Sequence, residues 1–108
     1  MPSMTPLTFE ILLALADDRR HGYGIIKEIE ERAGASEAPS TGALYLALRR
    51  MLGDALIEEV DPAEDADQRR RYYRLTAKGR DHAEAESLRL SRLVASARDK
   101  KLLAEGAR

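Results

Sequence analysis

Apolar residues recur along the start of the chain in two interleaved helical stripes. Leu7, Ile11, Ala14 and Leu15 form one, and Phe9, Leu12, Leu13 and Ala16 form the other. A single buried face needs only one stripe. The pattern therefore predicts a helix that packs on its own domain and on something else. Thr5 is placed to cap it, Pro6 suits its first turn, and Asp17-Asp18-Arg19-Arg20 ends it. His21-Gly22-Tyr23-Gly24 reads as a turn into a second helix. That helix has one apolar face (Ile25, Ile26, Ile29, Ala33) and one solvated face with Glu28 and Arg32 at i,i+4 spacing. Gly34 is its expected stop, and residues 35–39 read as loop.

Ser40 is an expected N-cap for a third helix, whose core stripe is Leu44, Ala47, Leu48, Met51 and Leu52. Gly42, Tyr45, Leu46 and Arg49 fall at i, i+3, i+4 and i+7 and share the opposite side. Gly53 is expected to cap its end. Residues 56–60 predict a short strand, Asp61-Pro62 breaks it, and residues 70–75 predict the returning strand. Alternation there puts Tyr73 and Leu75 on one face and Arg70, Tyr72 and Arg74 on the other. Thr76 caps a last helix reaching to about Leu103, a length of roughly 40 Å. Leu90, Val94 and Ala97 mark its stripe, with Leu93 beside it. One apolar stripe on so long a helix asks for a partner, most simply a second copy.

Composition narrows the function. The 108 residues fit one domain, or one domain plus a helical extension, and lack cysteine and tryptophan. No disulfide, thiolate metal site or cysteine nucleophile is available. No apolar run approaches ~20 residues, and the first residues lack a signal-peptide plan, so a cytoplasmic location is expected. Basic and acidic residues nearly balance, 18 against 19. A nucleic-acid reading therefore rests on local asymmetry, because phosphate attraction acts over about one Debye length, ~8–10 Å. That asymmetry exists. Asp61, Glu64, Asp65 and Asp67 precede Arg69-Arg70-Arg71-Tyr72-Tyr73-Arg74. A basic hairpin following a helix is the arrangement of a wing, so the expected fold is mainly α with a small β-hairpin. It is a winged helix-turn-helix (1–75) plus a long C-terminal dimerisation helix (76–108).

In that reading Ser40, Thr41 and Gly42 meet a phosphate at the helix N-terminus. Tyr45 reaches a phosphate or base edge, Leu46 packs on a thymine methyl, and Arg49 reads guanine or holds a phosphate. Arg69, Arg70, Arg71 and Tyr72 engage the backbone or minor groove, with the acidic loop bent away. Tyr73 and Leu75 are core. No nucleophile with an acid partner is apparent, and His21 and His82 fall short of a metal ligand set. No catalytic, cofactor or metal residues are therefore assigned, and His21-Gly22 is read as structural. A second reading, a winged-helix module that binds an acidic protein, would show neither a steep salt slope nor a preference for an inverted repeat.

Four motifs in order carry a resemblance. They are His21-Gly22-Tyr23-Gly24-Ile25, Ser40-Thr41-Gly42-Ala43-Leu44-Tyr45, Gly53-Asp54-Ala55-Leu56-Ile57, and Arg70-Arg71-Tyr72-Tyr73-Arg74-Leu75-Thr76 with Gly79. Over residues 5–80 the chain resembles the PadR family of bacterial transcriptional regulators, in its short form with one C-terminal helix. The resemblance implies a homodimeric repressor on an inverted-repeat operator of double-stranded DNA, with the first and last helices building the dimer. Leu7, Ile11, Leu90, Leu93, Val94 and Ala97 are the expected dimer residues. It also leaves room for a small-molecule effector of unspecified identity. Some relatives take flat aromatic drugs in a tryptophan-lined pore, whereas a pocket here would have only Phe9 and aliphatics. The chain departs from the family's usual Pro at Thr41, Thr at Ala43 and Gly at Ala55.

Overall fold

Thr5 opens the first helix by accepting a hydrogen bond from the Thr8 amide at 3.1 Å, and Pro6 follows as its first residue. A computed structural model describes residues 4–64 and 66–104. Helix α1 spans Pro6–Leu15, strand β1 Arg20–His21 and helix α2 Gly22–Ala33. A 3-10 turn at Ala35–Glu37 leads to α3, Thr41–Gly53. Strands β2 (Ile57–Val60) and β3 (Tyr72–Leu75) form the hairpin, and α4 covers Ala77–Asp99. The three helices α1–α3 close on one core of Ile11, Leu12, Leu15, Ile25, Ile29, Leu44, Leu48 and Met51, completed by Leu56, Ile57 and Tyr73.

The caps follow the sequence. Ser40 Oγ accepts from the Ala43 amide at 3.2 Å, and Thr76 Oγ1 accepts from the Gly79 amide at 3.0 Å. Gly34 takes a φ of 102° after α2. The C-terminus of α1 carries no basic residue in its own last turn, yet two distant arginines serve it. Arg20 Nε donates to the Ala14 carbonyl and Arg80 Nη2 to the Ala16 carbonyl, each at 2.8 Å. Cations there satisfy orphan carbonyls and complement the helix dipole.

Four expectations change. The hairpin is part of a three-stranded antiparallel sheet in the order β1-β3-β2, with His21 opposite Tyr72. A two-residue strand is too short to show alternation in sequence. Second, β3 is thereby central, and both its tyrosines are buried. Tyr73 joins the core, while Tyr72 lies edge-on to the His21 ring at 5.3 Å. Third, Gly53 does not cap α3 but is its last helical residue. Ala55 takes the left-handed conformation at φ 59°, with the Leu56 amide bonding to the Met51 carbonyl and the Ala55 amide to the Leu52 carbonyl. Those two bonds make a Schellman stop. Fourth, α4 ends at Asp99 rather than near Leu103, by the same device. Lys101 has φ 64°, and the Leu102 amide reaches the Ala97 carbonyl at 2.8 Å.

Gly79 shows how tightly α4 starts. A Cβ there would collide with the Leu56 carbonyl, lying 2.9 Å from its carbon. The first turn of α4 is thus pressed on the connection that follows α3, and the Thr76 hydroxyl donates to the Ala55 carbonyl at 2.6 Å.

Candidate nucleic-acid interface

Helix α3 buries Leu44, Leu48 and Met51 and leaves the opposite side open. Tyr45, Leu46 and Arg49 are exposed there, Leu46 to 58 %. Leu46 thus sets an apolar side chain beside the Tyr45 ring and the Arg49 cation on the open face of the helix. Thr41, Tyr45, Arg69, Arg70 and Arg71 line one cleft of about 460 Å³, together with His21, Gly22, Tyr23 and Ile26. The fold therefore brings the start of α3 and the wing arginines to one place. Ser40, Gly42, Leu46 and Arg49 stand exposed outside that cleft. Tyr72 is only 7 % exposed, which removes it from the contact surface. Its packing against His21 makes it a support for the wing.

The wing arginines do not stand free. Asp67 takes Arg69 Nε at 3.2 Å and the Arg69 amide at 2.9 Å, and lies 3.4 Å from Arg70 Nε. Arg71 pairs with Glu59 at 3.5 Å and Arg74 with Glu58 at 2.6 Å. Asp67 thus faces the arginines, against the expectation that the acidic loop bends away. The reason is local: a carboxylate two residues before Arg69 can accept its amide and side chain together. Those bonds hold the Asp67 carboxyl below the usual carboxylate range, the Arg69 side chain contributing most.

The sequence did not show the part played by residues 21–23, where β1 runs into α2. His21 caps α2, its Nδ1 accepting from the Gly24 amide at 2.9 Å. Arg70 Nη1 lies 3.1 Å and 3.3 Å from the two His21 ring nitrogens, and its guanidinium carbon is 5.6 Å from the Tyr23 ring centroid. Burial, and then the Arg70 charge, hold the His21 pKa below the usual histidine value, with Asp67 acting in the opposite direction. A neutral imidazole fits both jobs, since Nδ1 must accept and a guanidinium lies alongside. The one available signal in the sequence was an aromatic residue between two glycines at a helix start.

The expected dimer residues divide. Ile11 is 0 % exposed inside its own core, so it presents no surface to a partner. Leu7 packs half-buried against that core, and Leu90 and Ala97 are half-buried on α4. Leu93 and Val94 are exposed, Leu93 to 53 %. Phe9 and Leu13, from the second α1 stripe, line a groove of about 390 Å³ with Leu90. Glu10, Arg32, Glu86 and Arg89 share that groove, so it is not confined to Phe9 and aliphatics.

A helix pair α2–α3 followed by a basic hairpin defines a winged helix-turn-helix protein, an architecture in which the second helix of the pair is generally the one that enters a major groove. The chain matches the transcriptional regulator PadR-like family over residues 11–85, and it belongs to that family. It is similar to a PadR family transcription regulator from Clostridium difficile R20291, with 30 % identity over 92 % of this chain and 100 % of the other, at a TM-score of 0.76. A PadR-like transcriptional regulator from Bacillus cereus ATCC 14579 shares 25 % identity over 92 % and 93 % of the two chains, with a TM-score of 0.75. Bacillus subtilis PadR in complex with operator DNA shares the fold at 20 % identity and a TM-score of 0.65, over 75 % of this chain and 46 % of that one. None of the curated proteins matches in sequence. Members of the family are transcriptional regulators, not enzymes. Among the described residues no helix is long and apolar enough to cross a membrane.

Proposed function

We propose that the protein is a sequence-specific repressor that binds an inverted-repeat operator as a homodimer. The observation that carries this reading is the shared cleft, in which Thr41 and Tyr45 of α3 face Arg69, Arg70 and Arg71 of the wing. Ser40, Thr41 and Gly42 at the α3 N-terminus hold a phosphate. Tyr45, Leu46 and Arg49 read the major groove, and the wing arginines grip the backbone beside it. Residues 1–75 form the DNA-binding unit, and α4, within residues 76–108, is the dimerisation helix. Leu90, Leu93, Val94 and Ala97 of α4 meet the partner copy, helped by Phe9 and Leu13 of α1 and by Leu7. The supporting observation is the exposed apolar side of α4 beside the Phe9–Leu13–Leu90 groove. Two copies would then present α3 to half-sites about one helical turn, ~34 Å, apart. Thr41 and Ala43 stand where the family usually has Pro and Thr, so the sequence this protein reads is its own.

Selection of bound duplexes from a random DNA pool by the purified protein, sequenced at moderate salt, tests the reading. One recovered inverted repeat is the expected result. A pool that stays random, with binding lost as salt is added, would leave only charge attraction and favour an acidic protein as partner.

A further inference from the structure

We propose that Gly22 is a positioning residue for DNA reading, because the absence of a side chain there seats Tyr45 at the junction of recognition helix and wing. The inference rests on the reading of Tyr45 as a DNA contact. Gly22 is the first residue of α2 and is buried. Its φ is not positive, since Gly34 is the only described glycine in that region, so the backbone does not require glycine. What requires it is the neighbour. A Cβ at residue 22 would overlap the Tyr45 hydroxyl and come within 2.8 Å of Tyr45 Cζ and 3.3 Å of Cε1. The tip of the Tyr45 ring therefore rests directly on the start of α2.

The residues on either side hold the other half of the interface. His21 and Tyr23 form the bed on which the Arg70 guanidinium lies. One three-residue segment thus carries the α3 tyrosine at its middle and the wing arginine at its edges. The spacing between those two contacts is set by this segment, and its steric gauge is the missing methyl of Gly22. The collision partner decides what a methyl would do. At Gly79 it is backbone, which cannot yield, whereas at Gly22 it is the far end of a side chain, which can. Helical side chains have few alternative χ1 wells, because one of the three clashes with the preceding turn. A displaced Tyr45 would therefore swing to another rotamer and leave the cleft, with the fold intact.

The test is a double-mutant cycle on binding to the selected duplex. Gly22→Ala, Tyr45→Ala and the pair are compared, with Gly53→Ala as control, since a Cβ at Gly53 meets nothing within 4 Å. Losing one seated polar contact predicts that Gly22→Ala weakens binding by about three- to tenfold, with its melting temperature kept. In the Tyr45→Ala background the same change should have no further effect. An equal loss in both backgrounds, or no loss where Tyr45→Ala alone weakens binding, would overturn the proposal and leave the Tyr45 contact standing. Unchanged binding by Tyr45→Ala would remove the contact itself, and the proposal with it. If Gly22→Ala lowers the melting temperature, recovery on adding Tyr45→Ala supports a clash with the ring, and no recovery contradicts it.

Discussion

On α3, Arg49 and Arg50 are exposed and make no ion pair among the described residues. Across the cleft, the wing arginines are each held by a carboxylate: Arg69 and Arg70 by Asp67, Arg71 by Glu59 and Arg74 by Glu58. The two halves of one interface therefore start from different states. The α3 side chains stand ready on a helix whose other face is core. In the proposed DNA complex the wing arginines exchange a carboxylate for a phosphate. Exposed pairs of this kind are weak and screened by salt, so the exchange is easy and its direction depends on how strongly phosphate competes. This arrangement also explains how a chain of net charge −1 can present a basic wing without acting as a general polycation.

The comparison can be broken hardest by removing one copy of both halves. Changing Leu90 and Val94 together to Asp should give monomers in sedimentation. On an inverted repeat such monomers should lose well over tenfold in affinity, since each half-site is then held alone. A dimer that survives would move the interface to α1, onto Phe9 and Leu13. A smaller effect separates the wing from α3. Asp67→Asn releases Arg69 and Arg70, and should raise affinity for any duplex by about two- to fivefold, the equivalent of one exposed pair. Titration by fluorescence anisotropy would show it, and an unchanged affinity would mean that Asp67 does not compete with phosphate. The smallest effect concerns how α3 is ended. Ala55→Gly relieves a left-handed alanine and should raise stability by about 1 kcal/mol, read as a higher denaturant midpoint with unchanged slope.

The helices were legible because their signals are local. Thr5, Ser40 and Thr76 cap where their side chains predict, and the 3.6-residue stripes locate the core. The second α1 stripe also pointed to a second surface, although Ile11 proved to be core and Phe9 and Leu13 the free side. What stayed hidden depends on contacts far apart in sequence. Strand β1 is visible only through its pairing with β3, 49 positions separate His21 from Arg70, and nothing local shows that Tyr45 lies on Gly22. The left-handed residues failed for a different reason. Ala55 and Lys101 take a conformation that composition assigns to glycine, each closing a Schellman stop on its helix.

The most direct test compares Arg49→Ala with the double change Arg70→Ala and Arg71→Ala, on the selected duplex and on a scrambled one, across a range of salt. The account predicts that Arg49→Ala costs ~1–3 kcal/mol on the selected duplex and little on the scrambled one. The wing pair should weaken both and lower the salt slope by about two. Equal losses on both duplexes from both variants would contradict the division between a helix that reads and a wing that positions.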